Sequence, residues 1–154
     1  MTFYYKYIEP NHSLIKKHKV TNLFETTVMP KWQPWLGYAF ERFCIKHAMY
    51  LAERMGFAKD VIGLGPYYGR KDSNFQVDLV YQLATKTLVI YEVKYHNKAI
   101  GPEIIPEIEK KIRLLDIAKD QSIEKAIINP YGIDKALAKS EYFDHVLDIN
   151  ELFD

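Results

Sequence analysis

Asp78, Glu92 and Lys94 are the residues of this 154-residue chain whose types and spacing could do chemistry. Thirteen residues separate the two acids, and a lysine follows the second by two positions. Carboxylates are hard oxygen ligands suited to Mg²⁺ or Mn²⁺, and Mg²⁺ binds through few of them while keeping several waters. An ammonium beside them can orient an attacking water and meet charge developing on a phosphate. The acids lie within apolar runs, 75–83 and 88–93, separated by the polar turn Ala84-Thr85-Lys86. These runs read as an antiparallel hairpin. If the turn centres on Thr85, Asp78 falls opposite Glu92, with Cβ atoms about 5 Å apart. Two carboxylates this close repel, so one pKa rises and neutralising Glu92 should relieve the pair, unless a cation lies between them. Side chains alternate along a strand, so Leu88, Ile90, Glu92 and Lys94 share one face.

The rest of the chain must position this hairpin. Pro34 opens a helix over 35–55, which Gly56 stops. Its apolar stripe is Leu36, Phe40, Phe43, Cys44, His47, Leu51 and Met55. Glu41 sits at the margin of that stripe, over the small residues Gly37, Cys44, Ala48 and Ala52, and Ile45 denies it a cation at i+4. His47 on the apolar face reads as a satisfied core histidine, and Cys44 as a small buried hydrophobe. A strand over 61–68 and a polar turn over 69–74 lead into the hairpin. An exposed loop follows Lys94, with His96 solvated upon it. A second helix spans 103–119 on Ile104, Ile108, Ile112 and Leu115, with Lys110, Lys111 and Arg113 on a solvated face. Strands at 124–129 and 145–149 flank a short helix or turn at 133–140, and a closing turn covers 151–153. The segment 1–34 is expected to be an extension packing on the core, its Phe3-Tyr4-Tyr5 cluster a strand or the end of something larger. The order helix, three strands, helix, strand, then a C-terminal strand describes one α/β domain over 1–154, a mixed sheet flanked by helices.

Composition narrows the function classes. A net charge of +1 provides no basic field that would by itself announce nucleic acid. One cysteine permits no intrachain disulfide and no multi-cysteine zinc site. No apolar run reaches the roughly 18 residues of a membrane span, and no signal-peptide core begins the chain, so the expected location is the cytoplasm, away from membranes. No GxxxxGK[ST] occurs, so phosphate-loop nucleotide hydrolysis is not expected of these residues.

Val77-Asp78, thirteen residues, then Glu92-Val93-Lys94 resembles the signature of the PD-(D/E)XK nuclease superfamily, with Val77 where the proline stands. Trp35-Leu36-Gly37-Tyr38-Ala39-Phe40-Glu41-Arg42-Phe43-Cys44, Gln76-Val77-Asp78-Leu79 and the ending Leu147-Asp148-Ile149-Asn150-Glu151-Leu152-Phe153 are similar to the C-terminal nuclease-like domain of bacterial and archaeal AAA-type ATPases. The resemblance implies a restriction-endonuclease-like core and Mg²⁺- or Mn²⁺-dependent hydrolysis of DNA phosphodiester bonds. It implies Asp78, Glu92, the Val93 carbonyl and Glu41 as metal ligands, Glu41 directly or through water. Lys94 becomes the group that orients or deprotonates the attacking water, and Lys111 and Tyr68 become contacts to phosphate or base. The alternative it carries is a catalytically inactive module that binds DNA or a partner protein and is normally attached to an ATPase. Homodimers suit nucleases that cut both strands.

Overall fold

The computed structural model describes residues 3–18, 22, 24–70 and 74–152. The chain divides into two compact units, Met1–Tyr38 and Ala39–Asp154. In the first, a π-helical turn at Tyr4–Ile8, a 3₁₀ turn at Glu9–Asn11 and helix α1 (His12–His18) precede a second π-helical turn at Phe24–Val28. The aromatic cluster is therefore helical, not a strand. The ring of Phe3 meets Trp32 edge-on at 5.4 Å, Trp32 stacks on Trp35 at 5.1 Å, and the buried Tyr7 hydroxyl donates to the Lys31 carbonyl. Such edge and stacked pairs add to the area these rings bury.

Helix α2 covers Met29–Lys46 and α3 covers Ala48–Arg54. Pro30 occupies the first turn, where its missing N–H is harmless, so the helix starts earlier than expected and Pro34 lies inside it. The backbone leaves helical angles at His47 (φ −105°, ψ 22°), which turns that histidine to solvent, not into the core. The apolar stripe survives the break, because Phe40 and Cys44 before it and Leu51 and Ala52 after it join one buried cluster.

Five strands follow in spatial order β1 (Val61–Arg70), β2 (Asn74–Leu83), β3 (Thr87–Val93), β4 (Ser122–Asn129) and β5 (His145–Asp148). The first three pair antiparallel and the last three parallel, a mixed sheet in which β3 is central and buried on both faces. Residues 71–73 of the expected polar turn, and Phe153 of the closing turn, lie outside the described residues. A 3₁₀ turn, Pro102–Ile104, leads into α4 (Ile105–Leu114), and the short α5 (Lys135–Lys139) is capped by the Asp134 carboxylate. The second long helix therefore ends short of Lys119, because Leu115 turns extended and buries itself with Val77 and Ile90. Helices cover both faces: Val89, Tyr91 and Val93 pack with α2 and α3, while Ile127 packs with Ile104 and Ile108 beside α4. The architecture is thus α/β, as the order of elements implied. No helix among the described residues is long and apolar enough to cross a membrane.

Candidate active site

The hairpin register is as expected through four pairs, from Gln82↔Leu88 to Leu79↔Tyr91, and stops one pair short of Asp78 and Glu92. A bulge lies at this point. Against β1, the partners pass from Gly65↔Val80 to Tyr67↔Val77, so β2 spends three steps where β1 spends two. Strict alternation would put Leu79 and Val77 on one face, yet they join different clusters. The extra residue re-aims Asp78, as bulges do. Its carboxylate now accepts the Val93 N–H at 3.0 Å, replacing a strand partner with a side chain.

Beyond the bulge the charges gather. Glu92 is 1% exposed, facing α4. Lys111 of α4 places its Nζ 2.8 Å and 2.7 Å from the two Glu92 oxygens, and Lys94 adds an ion pair at 3.0 Å. Lys94 also donates to Glu107 at 2.9 Å, and Lys111 lies 3.6 Å from that same acid. Lys94 therefore does share the face of Glu92. Lys111 does not belong to a solvated face. It is one position before Ile112 and three after Ile108, at the edge of the apolar stripe, and the β3–α4–β4 crossover lays that edge against Glu92.

The acids are not equivalent. Burial, and then the Glu92 charge, push the Asp78 carboxyl up to about 6, against the Val93 N–H and the Lys111 charge; Glu41 raises it slightly further. Burial alone would lower the Lys94 pKa, but Glu92 and Glu107 outweigh it and push it up. Lys94 is thus held as a cation, which favours orienting a water and meeting negative charge over removing a proton. Burial disfavours the Glu107 carboxylate, yet Lys94 and Lys111 carry its pKa below the ordinary range. Burial pushes the Cys44 thiol up to about 12, with Asp78 and Glu41 adding to the effect, so this cysteine is an inert hydrophobe.

Glu41 is half-buried and accepts from the Gln76 amide at 2.9 Å. Tyr68 is the β1 partner of Gln76 and 70% exposed, so its ring projects from the sheet face on which Gln76 reaches Glu41. Among the described residues no group of three or more His, Cys, Asp or Glu side chains could hold a metal ion, so Glu41 is not gathered with the other two acids. Two carboxylates still suffice for a Mg²⁺ that keeps its waters. Asp78 and Glu92 fit that donor set, provided that an ammonium leaves Glu92. Val93 gives its N–H to Asp78.

Beside Lys94, a cleft of about 240 Å³ is lined by His96, Lys98, Ile100, Ile104 and Glu107. Its wall is held by Asn129, a fully buried amide at the end of β4. Asn129 donates to the carbonyls of Lys98 and Gly132 and accepts the His96 N–H. Gln76, Glu107 and Asn129 were not legible as site residues from their spacing.

Residues 4–111 match DUF234, archaeal and bacterial proteins of unknown function. The chain belongs to this family. No curated protein and no solved structure matches it. The DUF234 match contains Glu41, Tyr68, Asp78, Glu92 and Lys94 and ends on Lys111, while β4 and β5 lie beyond it.

Proposed function

We propose that this DUF234 protein is a Mg²⁺- or Mn²⁺-dependent nuclease of the PD-(D/E)XK type, hydrolysing DNA phosphodiester bonds. The observation that carries the reading is the parting of β2 from β3 at Asp78, whose carboxylate takes the Val93 N–H and feels the charge of Glu92, the acid that Lys94 pairs at 3.0 Å. A bound divalent cation would lower the pKa of a water and neutralise charge on the phosphate. Asp78 and Glu92 hold it. Asp78 suits the task because its ionised form is under-compensated, as its raised pKa records. Lys94 stands by as a permanent cation beside the leaving or attacking oxygen. The exposed Tyr68 ring offers a surface on which a base can stack. The cytoplasm and attachment to an ATPase belong to the same reading.

Purified protein should nick plasmid, single-stranded, flap or junction DNA when Mg²⁺ or Mn²⁺ is present. Asp78→Ala and Lys94→Ala should each lower the rate by about a hundredfold or more. Absence of cleavage on every substrate, or cleavage that Asp78→Ala retains, overturns the proposal. One observation favours a second reading, an inactive module that binds DNA or a partner protein. Both Glu92 oxygens are already engaged by ammonium groups. Binding of DNA without cleavage, and no heat on Mn²⁺ titration, would select it.

A further inference from the structure

Lys111 already covers the Glu92 carboxylate that a bound cation would need. Its Nζ is within 2.8 Å of both Glu92 oxygens, and its charge also acts on Asp78. The side chain is only 16% exposed, so water does little to screen it. Asp78, Glu92 and Glu107 carry three negative charges against two positive charges on Lys94 and Lys111. A divalent ion added beside Glu92 would bring three cationic centres onto one carboxylate. Like charges at such separations repel strongly in a partly desolvated site. Lys94 has a second anchor in Glu107 at 2.9 Å, whereas Lys111 is 3.6 Å from it. Of the two ammoniums, Lys111 is the one held chiefly by Glu92, and Glu107, four residues before it on α4, is within reach as an alternative partner.

We infer that Lys111 is a built-in counter-ion that seals Glu92 while the site lacks a divalent cation and is displaced from it when one binds, leaving its ammonium free for a substrate phosphate. The inference rests on the metal-site reading above. It assigns Lys111 two successive partners, and it makes metal affinity a competition between a tethered cation and a dissolved one. A purely structural lysine would behave differently, since removing it would loosen the site and weaken every ligand.

The test is calorimetric titration of Mn²⁺ into the intact protein and two variants. Lys111→Met removes the charge and keeps the length; it should bind Mn²⁺ about tenfold more tightly than wild type, or better. Lys111→Arg keeps the charge and should bind no more tightly than wild type. If wild type binds Mn²⁺ and Lys111→Met binds it equally or more weakly, the counter-ion role is overturned while the metal site stands. If neither wild type nor Lys111→Met binds Mn²⁺, both readings fall. Should Lys111→Met not fold, the wild-type protein answers by NMR. The Lys111 side-chain ammonium signal, assigned by its loss in Lys111→Arg, should shift and exchange faster with water as Mg²⁺ is added. An unmoved ammonium signal, while the Asp78 and Glu92 carboxyl signals shift, overturns the role. If those carboxyl signals also stay fixed, the metal site falls with it.

Discussion

Tyr91 and Glu92 are neighbours on β3, 0% and 1% exposed, and the strand points them to opposite faces of the sheet. On the side of α2 and α3, the Tyr91 hydroxyl is buried among apolar residues and finds no hydrogen-bond partner among the described residues. On the side of α4, Glu92 takes three contacts of 3.0 Å or less from two lysines. An unsatisfied neutral hydroxyl costs roughly 1–3 kcal/mol, which a well-packed face can absorb. An unpaired ionised carboxylate in the same position costs far more, so it exists only with cations beside it. Apolar residues of similar volume would often serve stability as well as a buried ion cluster does. The cluster is accordingly a poor device for stability, and its presence on one face of β3 agrees with the chemical role proposed for it.

Four substitutions break or sharpen this contrast, the largest effect first. Glu92→Ala takes from Lys94 and Lys111 the buried anion they share and leaves them the more exposed Glu107, and it should cost about 3–5 kcal/mol in urea unfolding. A loss below about 1 kcal/mol would mean that the lysines relax to solvent, and the contrast would vanish. Relief of repulsion on neutralising Glu92 is expected only without a cation at the acids, and two ammoniums stand on Glu92. Burial, and after it repulsion from Glu92, act on Asp78. Its pKa rises from 3.8 to about 6 on folding, so between those values the native state holds a proton that the unfolded chain has lost. Stability from this group is therefore complete below about pH 4 and is lost as the pH rises through 6. Asp78→Asn, which keeps an acceptor for the Val93 N–H, should stabilise the metal-free protein by about 1–2 kcal/mol at pH 8 and by almost nothing at pH 3.5. Equal effects at both pH values would remove Asp78 from the electrostatic account.

On the opposite face, Tyr91→Phe deletes a hydroxyl without a partner and should change the melting free energy by between zero and a gain of about 1 kcal/mol. A clear loss would reveal a partner for that oxygen. The smallest effect belongs to the pair Lys86–Asp120, equally short at 2.6 Å but with both side chains over 60% exposed. Lys86→Ala should cost less than about 0.5 kcal/mol, because solvent screens what burial would magnify.

The hairpin was legible because Val, Leu, Ile and Tyr crowd two runs around a polar turn, and its register followed from the turn centre. Lys94 was legible for the same reason, by alternation from Glu92. The departure of Asp78 from that alternation was not, since a bulge is a mismatch between two strands and neither strand displays it alone. Lys111 and Glu107 were hidden in another way. Their i,i+4 spacing reads as an ordinary surface pair until the crossover helix is laid over β3. The first unit misled because aromatic residues favour strands on average, whereas here Trp32 and Trp35 of α2 provide a helical surface for Phe3.

Asn129 ties two stretches of backbone, the loop at His96 and Lys98 and the turn at Gly132, beside the single bridge that pairs Ile100 with Ile133. One amide thus extends what that bridge begins, and the loop after Lys94 stays tied to the end of β4. The cleft beside Lys94 thereby has one wall fixed by side-chain hydrogen bonds to backbone, where a loop alone would supply none.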